Sequence, residues 1–430
     1  MIESKSKNAA PETVAGNGLL HRRIFLTRGA ALLGAGSLGL LTPTLAVAQV
    51  APEMPVLAKV PGAALSGYGN RSVFEEGIKR YNIRTYPGTT GSGGSWTPLE
   101  SLEGIITPSA LHFERHHSGI PDINPDVHRL LIHGLVDRPL IFSMDALSRY
   151  PMVSRIQFIE CSGNSRVGTA PKPVQMTAGG LHGLFSCSEW TGVPLSILLE
   201  EAGVDPKAGW LLAEGADSAA MARSVPMAKA MDDALIALYQ NGERLRPSNG
   251  YPMRLFLPGY EGNMSVKWLR RIKVTSGPTM TRDETAEYTD TRPDGSSLMF
   301  TFPMEVKSVI TAPSFGRNLQ GAGLYEISGM AWSGAGKIAR VDVSVDGGQT
   351  WGQAALSEPV LSKAVTRFRV AWQWNGGPAV IMSRAVDDSG AVQPNRAQFL
   401  AARGLKRNYH YNAIQSWKVA ANGEVSNVYA

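Results

Sequence analysis

Residues 158–166 of this 430-residue chain read FIECSGNSR. The apolar pair Phe158-Ile159 has the composition of a buried strand, and the turn that follows contains Gly163. Cys161 therefore stands where a strand runs into a turn, and we expect its thiol at the strand end rather than in a core. A thiolate in such a place can act as a nucleophile or as a soft metal ligand. As a single ligand it suits a metal held mainly by an organic group, and it cannot hold zinc alone.

The sequence on both sides of this stretch mixes short apolar strands with short helical runs. Residues 129–134 and 155–159 have the pattern of strands, and residues 195–202 and 228–239 have the apolar spacing of helices. Strands and helices interspersed in this way predict an α+β domain with a mixed sheet. We place that domain at residues 108–285.

A polar stretch punctuated by proline and glycine, residues 277–303, predicts a linker. Beyond it the pattern is all β, and residues 300–430 are expected to form an immunoglobulin-like β-sandwich. By pattern alone, a secreted sandwich of this kind is usually an interaction module. The predicted strands are residues 325–332, 340–345, 366–374 and 379–386.

The beginning of the chain has the order of an export signal. Arg22-Arg23 is a twin arginine, residues 29–41 are apolar, and residues 46–48 (AVA) form an A-x-A cleavage site. This order predicts a twin-arginine (Tat) signal over residues 1–48, and hence a periplasmic protein that is exported after folding and carries a cofactor. The apolar run is shorter than the about 20 residues of a membrane span, and no other segment is apolar enough, so no span is expected.

Residues 49–107 show little periodicity and are predicted to form an N-terminal arm. Its glycine- and serine-rich part, residues 88–96 (GTTGSGGSW), is expected to be extended or a surface loop. The domain order expected from the sequence is therefore signal, arm, α+β domain and β-sandwich.

The charge balance and the missing motifs exclude several function classes. Residues 1–48 contain five Lys or Arg and two Asp or Glu, so the formal net charge of +6 falls to +3 without them, and nucleic-acid binding is not expected. No C-x-x-C-H motif is present, so this chain is expected to attach no haem, and zinc-protease and nucleotide-loop motifs are absent as well. The two cysteines, Cys161 and Cys187, could form a disulfide in an oxidising compartment or remain free.

The run Cys161-Ser162-Gly163-Asn164 resembles the C-x-G-N motif of the sulfite oxidase family of molybdenum enzymes, in which that cysteine is the one protein ligand to molybdenum. Further segments resemble motifs of the family in the same order along nearly all of the chain after the signal. The resemblance implies a mixed α/β molybdopterin domain followed by an immunoglobulin-like dimerisation domain. The segments are residues 113–117 (FERHH), 189–195 (EWTGVPL), 214–217 (EGAD), 250–254 (GYPMR), 266–269 (VKWL), 331–334 (AWSG) and 343–351 (VSVDGGQTW).

The resemblance also implies a molybdenum–molybdopterin cofactor with Cys161 as the metal ligand. The phosphate of such a cofactor requires cations and N–H donors around it, and an anionic sulfur substrate requires further positive charge beside the metal. The catalytic residues implied are Arg115, Tyr288 and Arg403. The residues implied to bind the cofactor are Phe113, Arg115, His116, His117, Cys161, Asp217, Asn249, Arg254, Lys267, Trp268 and Leu269.

Two of these positions depart from the family pattern. His116 stands where the family has Asn, and Asn249 stands where the animal enzymes have His. Because adjacent side chains point to opposite sides of a strand, we expect one of His116 and His117 to face the cofactor, rather than both to bind a metal.

Within the family, residues 112–125 and 246–271 resemble the sulfane dehydrogenases of the bacterial sulfur-oxidation (Sox) system. This resemblance implies a two-electron oxidation, at molybdenum, of sulfane sulfur bound to a cysteine of a carrier protein. Electrons then pass singly to a c-type cytochrome subunit, which is expected to be a separate chain because this one has no haem motif. The dimerisation domain implies a homodimer.

Three other functions stay open. A sulfite dehydrogenase acting on free sulfite needs the same cationic pocket. A periplasmic molybdenum reductase is disfavoured by the long C-terminal sandwich. A secreted β-sandwich binding protein would hold no metal and would contain a Cys161–Cys187 disulfide.

Overall fold

The described residues do not cover the predicted export signal. The protein is described here by a computed structural model that covers residues 61–87, 89–404 and 409–430. Residues 1–48 lie outside this range, and so do residues 49–60 of the predicted arm.

The chain forms two compact units, Met1–Gly77 and Ile78–Ala430. In the first unit, the described residues contain a 3₁₀ turn at Val73–Glu75. The second unit contains the sheets, the helices and the cysteine loop.

The part of the second unit that precedes the linker is built from short strands and shorter helices. The strands are β1 (Tyr81–Thr85), β2 (Gly93–Trp96), β3 (Glu114–His116), β4 (Arg129–Gly134), β5 (Leu140–Ser143), β6 (Val153–Glu160), β7 (Phe185–Pro194), β8 (Trp210–Gly215), β9 (Ala222–Pro226), β10 (Leu235–Gln240), β11 (Glu243–Arg244), β12 (Arg254–Phe256) and β13 (Leu269–Thr275). The helices are α1 (Met144–Ser148), α2 (Ala178–His182), α3 (Leu195–Ala202) and α4 (Met227–Asp232). Short 3₁₀ turns occur at Leu99–Ser101, Ser109–Leu111, Arg166–Thr169, Pro247–Asn249 and Gly262–Met264.

These strands form three sheets. The first has the order β1-β2-β3, the second has the order β11-β10-β7-β6 with β12 also paired to β10, and the third has the order β5-β4-β13-β8-β9. The pairing of β4 with β13 is parallel, and its neighbours in the same sheet are antiparallel. The prediction of an α+β fold with a mixed sheet is therefore confirmed.

Helix α3 follows the sequence prediction residue for residue. Its apolar positions, Leu195, Leu198, Leu199 and Ala202, are buried together in the main core, as amphipathic spacing requires. Gly203 ends the helix in the left-handed conformation, with φ of 71°.

The predicted helix over residues 228–239 is wrong in its second half. Helix α4 ends at Asp232, and residues 235–240 form strand β10. That strand pairs with β7 on one side and with β11 and β12 on the other, and residues 235–238 are buried. Pairing on both edges in a buried sheet outweighs the helical preference of alanine and leucine.

The prediction of an extended segment or surface loop over residues 88–96 holds for residues 89–91, which form an exposed turn, and is wrong about exposure for residues 93–96. Gly88 lies outside the described residues, but residues 93–96 form the central strand β2, which is buried throughout. The two glycines allow the flanking strands to approach closely. A Cβ on Gly93, for example, would lie 2.2 Å from the Arg84 carbonyl oxygen.

The predicted linker is folded rather than open. It contains helix α5 (Arg282–Thr285) and a hairpin of β14 (Asp290–Thr291) and β15 (Ser297–Leu298). Glu284 of this helix is buried, and its carboxylate accepts hydrogen bonds from the backbone and side chain of Ser224.

The C-terminal part is the predicted β-sandwich. One sheet has the order β16-β17-β21-β20 and the other has the order β19-β18-β22-β23-β24. The elements are β16 (Lys307–Ala312), β17 (Gly323–Trp332), β18 (Ile338–Ser344), β19 (Gly352–Gln353), β20 (Ala355–Leu356), β21 (Thr366–Trp374), β22 (Ala379–Asp387), α6 (Arg396–Arg403), β23 (Ser416–Val419) and β24 (Val425–Val428).

The sandwich shares a hydrophobic core with the α+β part. Phe185 of β7 stacks on Trp332 of β17 with ring centroids 3.9 Å apart, and Phe158 of β6 belongs to the same buried cluster. Cys187 lies in that cluster too, and both it and Cys161 are free thiols. The alternative of a Cys161–Cys187 disulfide is therefore wrong.

Among the residues that the structure describes, no helix is long and apolar enough to cross a membrane.

One close approach in the central sheet gives a stability test. A Cβ added at Gly192 of β7 would lie 2.1 Å from the carbonyl oxygen of Ile236, a backbone atom that cannot move aside alone. We expect Gly192→Ala to destabilise the protein by about 1–3 kcal/mol, as overpacking does. Denaturant unfolding measures this.

The matched control is Gly352→Ala, because a Cβ at Gly352 would meet nothing within 4 Å. That variant should unfold within about 0.5 kcal/mol of the parent. Equal effects of the two substitutions would contradict the close packing of β7 on β10.

Candidate active site

The loop that carries Cys161 begins where β6 ends. The Cys161 N–H donates to the Leu184 carbonyl at 2.9 Å, and the Asn164 N–H donates to the Cys161 carbonyl at 2.8 Å. Burial raises the pKa of the Cys161 thiol, while the Gly163 backbone and the Arg115 charge act in the opposite direction. A bound metal ion would displace the proton from such a thiol, because metals bind the thiolate.

Cys161 lies between two cavities. The first, here called the inner cavity, spans about 700 Å³ of space that is partly open to solvent, and it reaches into the α+β domain. The second, the outer cavity, spans about 2340 Å³, also partly open to solvent, and extends from Cys161 past the loop toward β1 and α5. Arg115, His117, Cys161 and Tyr288 line both.

The inner cavity brings together ten of the eleven residues predicted to bind the cofactor. They come from distant parts of the sequence and meet at the ends of β3, β6, β8 and β12 and in the turn before β13. These ten are Phe113, Arg115, His116, His117, Cys161, Asp217, Asn249, Arg254, Lys267 and Trp268.

Leu269 is the exception, because it does not line the inner cavity. It is the first residue of β13, and its side chain is fully buried in the main hydrophobic core rather than in the inner cavity. Trp268, directly before the strand, has a positive φ of 52°, so the chain turns there. Leu269 therefore faces the core, while Lys267 and Trp268 line the inner cavity.

Arg254, which is buried, and Lys267, which is half-buried, bring positive charge to the inner cavity beside Arg115. Arg254 is 4% exposed, and it donates from its two terminal nitrogens to the carbonyls of Asn249 and Ser265. Burial lowers the pKa of Arg254 to about 9, so it stays charged at neutral pH, and burial also lowers the pKa of Lys267 well below its usual value. Neither side chain forms an ion pair with a carboxylate in the described part of the chain.

Two polar atoms of the cavity wall also lack partners. Arg254 Nε and His112 Nε2 are buried, and neither has a hydrogen-bond partner in the described protein. His112 donates from Nδ1 to the Phe113 carbonyl at 3.0 Å, and burial lowers its pKa to about 3, so the free Nε2 of the neutral ring is an acceptor. An anionic group with donors and acceptors of its own, such as a molybdopterin phosphate and pterin, fits this set of unpaired cations and free polar atoms.

Both neighbouring histidines line the inner cavity, so the expectation that only one of them faces it is wrong. Strand β3 ends at His116, and the alternation of sides no longer applies to His117. His116 Nδ1 accepts from the Lys267 ammonium at 2.7 Å, while its Nε2 lies 3.4 Å from Glu114 Oε2. Burial lowers the pKa of both rings, that of His117 to about 3, with Arg115 and Lys267 adding to the shift.

Tyr288 reaches the site from the folded linker. Its hydroxyl lies 3.1 Å from His117 Nε2, and the Arg223 guanidinium lies 4.9 Å from the centre of its ring. Burial raises the pKa of Tyr288 well above 10, and the nearby Cys161 raises it further. Since the phenol stays protonated and the ring stays neutral, the phenol donates to His117.

Arg403, predicted to act beside the metal ligand, lines neither of the cavities around Cys161. It ends helix α6, where it pairs with Asp290 at 2.9 Å and with Glu305. It lines a separate hollow between the linker and the sandwich, because these two carboxylates hold its guanidinium there.

The structure gives a reason for asparagine at position 249, which the sequence alone did not. Its side-chain amide donates to Gln240 Oε1 at 2.7 Å and faces the Ser109 carbonyl at 3.5 Å. These contacts fix the turn that carries Asn249 into the wall of the inner cavity.

Sequence reasoning missed the arginines of the outer cavity. Arg84, Arg166 and Arg282 line it beside Arg115, and none of the three pairs with a carboxylate in the described part of the chain. Arg166 follows the cysteine motif directly, so its position was a usable signal, whereas Arg84 and Arg282 lie in segments with no motif. Among the described residues that line the outer cavity, the acidic ones are Asp283 and Glu287.

The inner cavity also contains residues that were not predicted. His112, Ser248, Asn263 and Ser265 line it. All four lie within or beside segments with family motifs, but they carry no charge and so gave no electrostatic signal.

Comparison with known proteins agrees with this geometry. Residues 117–282 match the model of the oxidoreductase molybdopterin binding domain, and residues 299–416 match that of the Mo-co oxidoreductase dimerisation domain. The solved structure of the sulfane dehydrogenase SoxCD from Paracoccus pantotrophus is 44% identical, with a TM-score of 0.85, over 87% of this chain and 97% of that one.

More distant relatives belong to the same group. Mitochondrial sulfite oxidase of Mus musculus is 33% identical over 339 residues, which are 72% of this chain and 62% of the relative. The NADH nitrate reductase of Solanum lycopersicum is 32% identical over 315 residues, or 64% of this chain and 34% of the relative. This chain thus spans less than two thirds of the length of these relatives.

The matching domains imply a molybdenum–molybdopterin cofactor, and the unpaired cations of the inner cavity suit it. The chain belongs to the sulfite oxidase family of molybdopterin oxidoreductases.

Proposed function

We propose that this protein oxidises sulfane sulfur carried on a cysteine of a partner protein and passes the electrons to a c-type cytochrome subunit. The observation that carries the proposal is the position of Cys161 between a cationic inner cavity and a wide outer cavity lined by arginines. The similarity of almost the whole of the SoxCD chain to this one supports it.

The inner cavity would hold the cofactor. Cys161 would be its metal ligand, Arg254 and Lys267 would offset its phosphate charge, and His112 Nε2 would accept a hydrogen bond from it. When bound, the molybdenum cofactor supplies two-electron oxidation of the substrate sulfur. No three His, Cys, Asp or Glu side chains of the described chain converge on a metal position, which fits a metal with one protein ligand.

Arginines would bind the substrate on the other side of Cys161. Arg115 lies at the boundary of the cavities, with its guanidinium 4.8 Å from the centre of the Tyr86 ring. His117 is neutral and Tyr288 is protonated at neutral pH, so among the described residues of the outer cavity the positive charge comes from arginines. Such fixed cations hold an anionic sulfur group in place and stabilise negative charge that develops on it.

The size of the outer cavity favours a substrate larger than free sulfite. Its walls come from β1, the cysteine loop, α2 and α5, and its empty space exceeds that of the inner cavity several times. A protein-borne sulfane needs room for the segment of chain that carries it, whereas sulfite does not.

A sulfite dehydrogenase acting on free sulfite is the second candidate. The cationic walls suit sulfite as well, and the sulfite oxidases are 33% identical to this chain. We further propose a periplasmic location, supported by the twin arginine and A-x-A site of residues 1–48, and a homodimer formed through the dimerisation domain.

Removal of the thiol tests the metal ligand. Cys161→Ser should give a folded protein without turnover, because a serine hydroxyl is a poor ligand for a soft metal site. Turnover is measured as reduction of an artificial one-electron acceptor, alongside thermal unfolding.

Cys187→Ala is the control, since Cys187 is a free, buried thiol in the shared core. It should lose some stability and keep its turnover. Full activity of Cys161→Ser would contradict the assignment of Cys161 as the metal ligand.

Removal of one outer arginine tests the substrate side. We expect Arg166→Gln to raise KM several-fold with the molybdenum content unchanged, because one exposed cation is worth about 1 kcal/mol or less. Arg149→Gln is the control, as Arg149 is exposed, pairs with Asp145 and lines neither cavity. An unchanged KM in Arg166→Gln would show that the outer cavity does not bind the substrate.

The two substrates are separated by one assay on protein of confirmed molybdenum content. Slow or no reduction of the acceptor with sulfite, and fast reduction with a sulfane-loaded carrier protein, is the expected result. Fast turnover with free sulfite would overturn the sulfane proposal in favour of a conventional sulfite dehydrogenase.

A further inference from the structure

A buried carboxylate lies directly beneath the cysteine loop. Glu160 is the last residue of β6, next to Cys161, and is 1% exposed. Its Oε1 accepts from the Lys307 ammonium and from the Asn164 side chain, each at 2.9 Å, and its Oε2 accepts from Trp332 Nε1 at 2.7 Å. Three donors therefore share the two oxygens of one carboxylate. A glutamine amide has only one oxygen and could not accept from all three in the same arrangement.

The contacts continue through Lys307 to the far end of the loop. The Lys307 ammonium also donates to Ser165 Oγ at 2.6 Å, and Ser165 Oγ lies 2.7 Å from His182 Nδ1. Burial and the charge of Lys307 lower the pKa of His182 to about 3, so the ring is neutral. The Ser165 hydroxyl then donates to Nδ1, and the ring donates from Nε2 to Gln415 Oε1 at 3.2 Å.

The groups that hold the loop belong to the other domain. Lys307 begins β16, Trp332 ends β17, and Gln415 directly precedes β23, all in the sandwich. A fourth contact comes from the same side, because the His410 N–H donates to the Ser162 carbonyl at 2.8 Å. Strands β16 and β17 and the segment before β23 thus contact the loop or the His182 side chain that supports it.

Stability alone does not explain this arrangement. Glu160 and Lys307 are both almost fully buried. The free-energy cost of taking these two charges out of water offsets much of their mutual attraction. Apolar residues of similar volume would often be as stable or more so. The ion pair contributes a defined geometry, because charged hydrogen bonds hold the carboxylate in one position. The adjacent Cys161 is held with it.

We propose that Glu160 and Lys307 are positioning residues, through which the sandwich domain fixes the Cys161 loop in the geometry that a lone metal ligand needs. A thiolate that is the metal's one protein ligand has no other side chain to correct its position, so its backbone must be held from outside. The left-handed conformation of Ser165, with φ of 62°, is part of the held geometry. The proposal rests on Cys161 as the metal ligand and is independent of the sulfur substrate.

The test compares Glu160→Gln, Lys307→Met and the double variant in the full-length protein. Each single variant leaves one buried charge unpaired and should unfold at a lower temperature. The double variant removes both charges, so its unfolding temperature should return toward that of the parent. The double variant nevertheless loses the hydrogen bonds that Lys307 donates to the loop. Glutamine also has one side-chain oxygen in place of the two that accept from Trp332 and Asn164.

The informative measurements are local. In the double variant we expect hydrogen exchange of peptides covering residues 158–166 to speed up at least about tenfold. Molybdenum per chain should fall at least about twofold, as expected when a ligand loses its supporting hydrogen bonds. The electron paramagnetic resonance signal of the remaining molybdenum should broaden, because the position of the thiolate is no longer unique.

Lys363→Met is the matched control. Lys363 also pairs across the two domains, with Asp233 at 2.6 Å. Its backbone carbonyl accepts from the Phe158 N–H at 2.9 Å, a bond that the substitution keeps, because only the side chain changes. The control variant should leave exchange in residues 158–166 and molybdenum content unchanged. If it altered them as much as the double variant, a general loosening of the domain interface would explain the result and the proposal would fail.

Trp332→Phe covers the case in which the double variant does not fold. Phenylalanine keeps an aromatic ring against Phe185 but removes the N–H that Glu160 Oε2 accepts. Exchange of the loop should rise about threefold in this variant, between the parent and the double variant. Parent-like exchange and molybdenum content in the variants that fold would overturn the positioning role, whatever substrate the enzyme proves to oxidise.

Discussion

The inner cavity concentrates the positive charge of Arg115, Arg254 and Lys267, with the carboxylate of Asp217 in the same described wall. Arg254 is buried and Lys267 is half-buried, and neither forms an ion pair within the described residues. Because positive charge removed from water is costly, the cavity wall favours an anion inside it. The rest of the site follows from this constraint, because an anionic cofactor that supplies most of a metal's ligands leaves the protein to provide one thiolate.

Much of the site could be predicted because charged and metal-binding side chains stand in compact motifs. Cys161, Arg115 and Lys267 lie in such runs, and the structure brings them to one cavity. Leu269 and Arg403 were predicted by the same reasoning and lie elsewhere, since adjacency in a motif says nothing of which face a strand presents or which carboxylates capture a guanidinium.

The errors in the fold have a related cause. Helix α3 was predicted to the residue because its apolar spacing agrees with its burial. Strands β10 and β2 were missed because their identity depends on neighbours that are distant in sequence. Local strain around the site was equally hidden: Ser165, Trp268, Tyr288 and His410 all have positive φ, between 41° and 62°, and tertiary contacts hold them there.

The core shared by the two domains has an evolutionary consequence. Phe185 and Trp332 stack across the domain boundary, and Met304 and Leu99 belong to the same cluster, which contains residues of both domains. A gene fusion that joined either half to a foreign neighbour would expose this apolar surface and leave Glu160 without its lysine. The two halves are therefore constrained to be inherited together, and new partners for this enzyme are more easily recruited by altering its outer surfaces than by exchanging its domains.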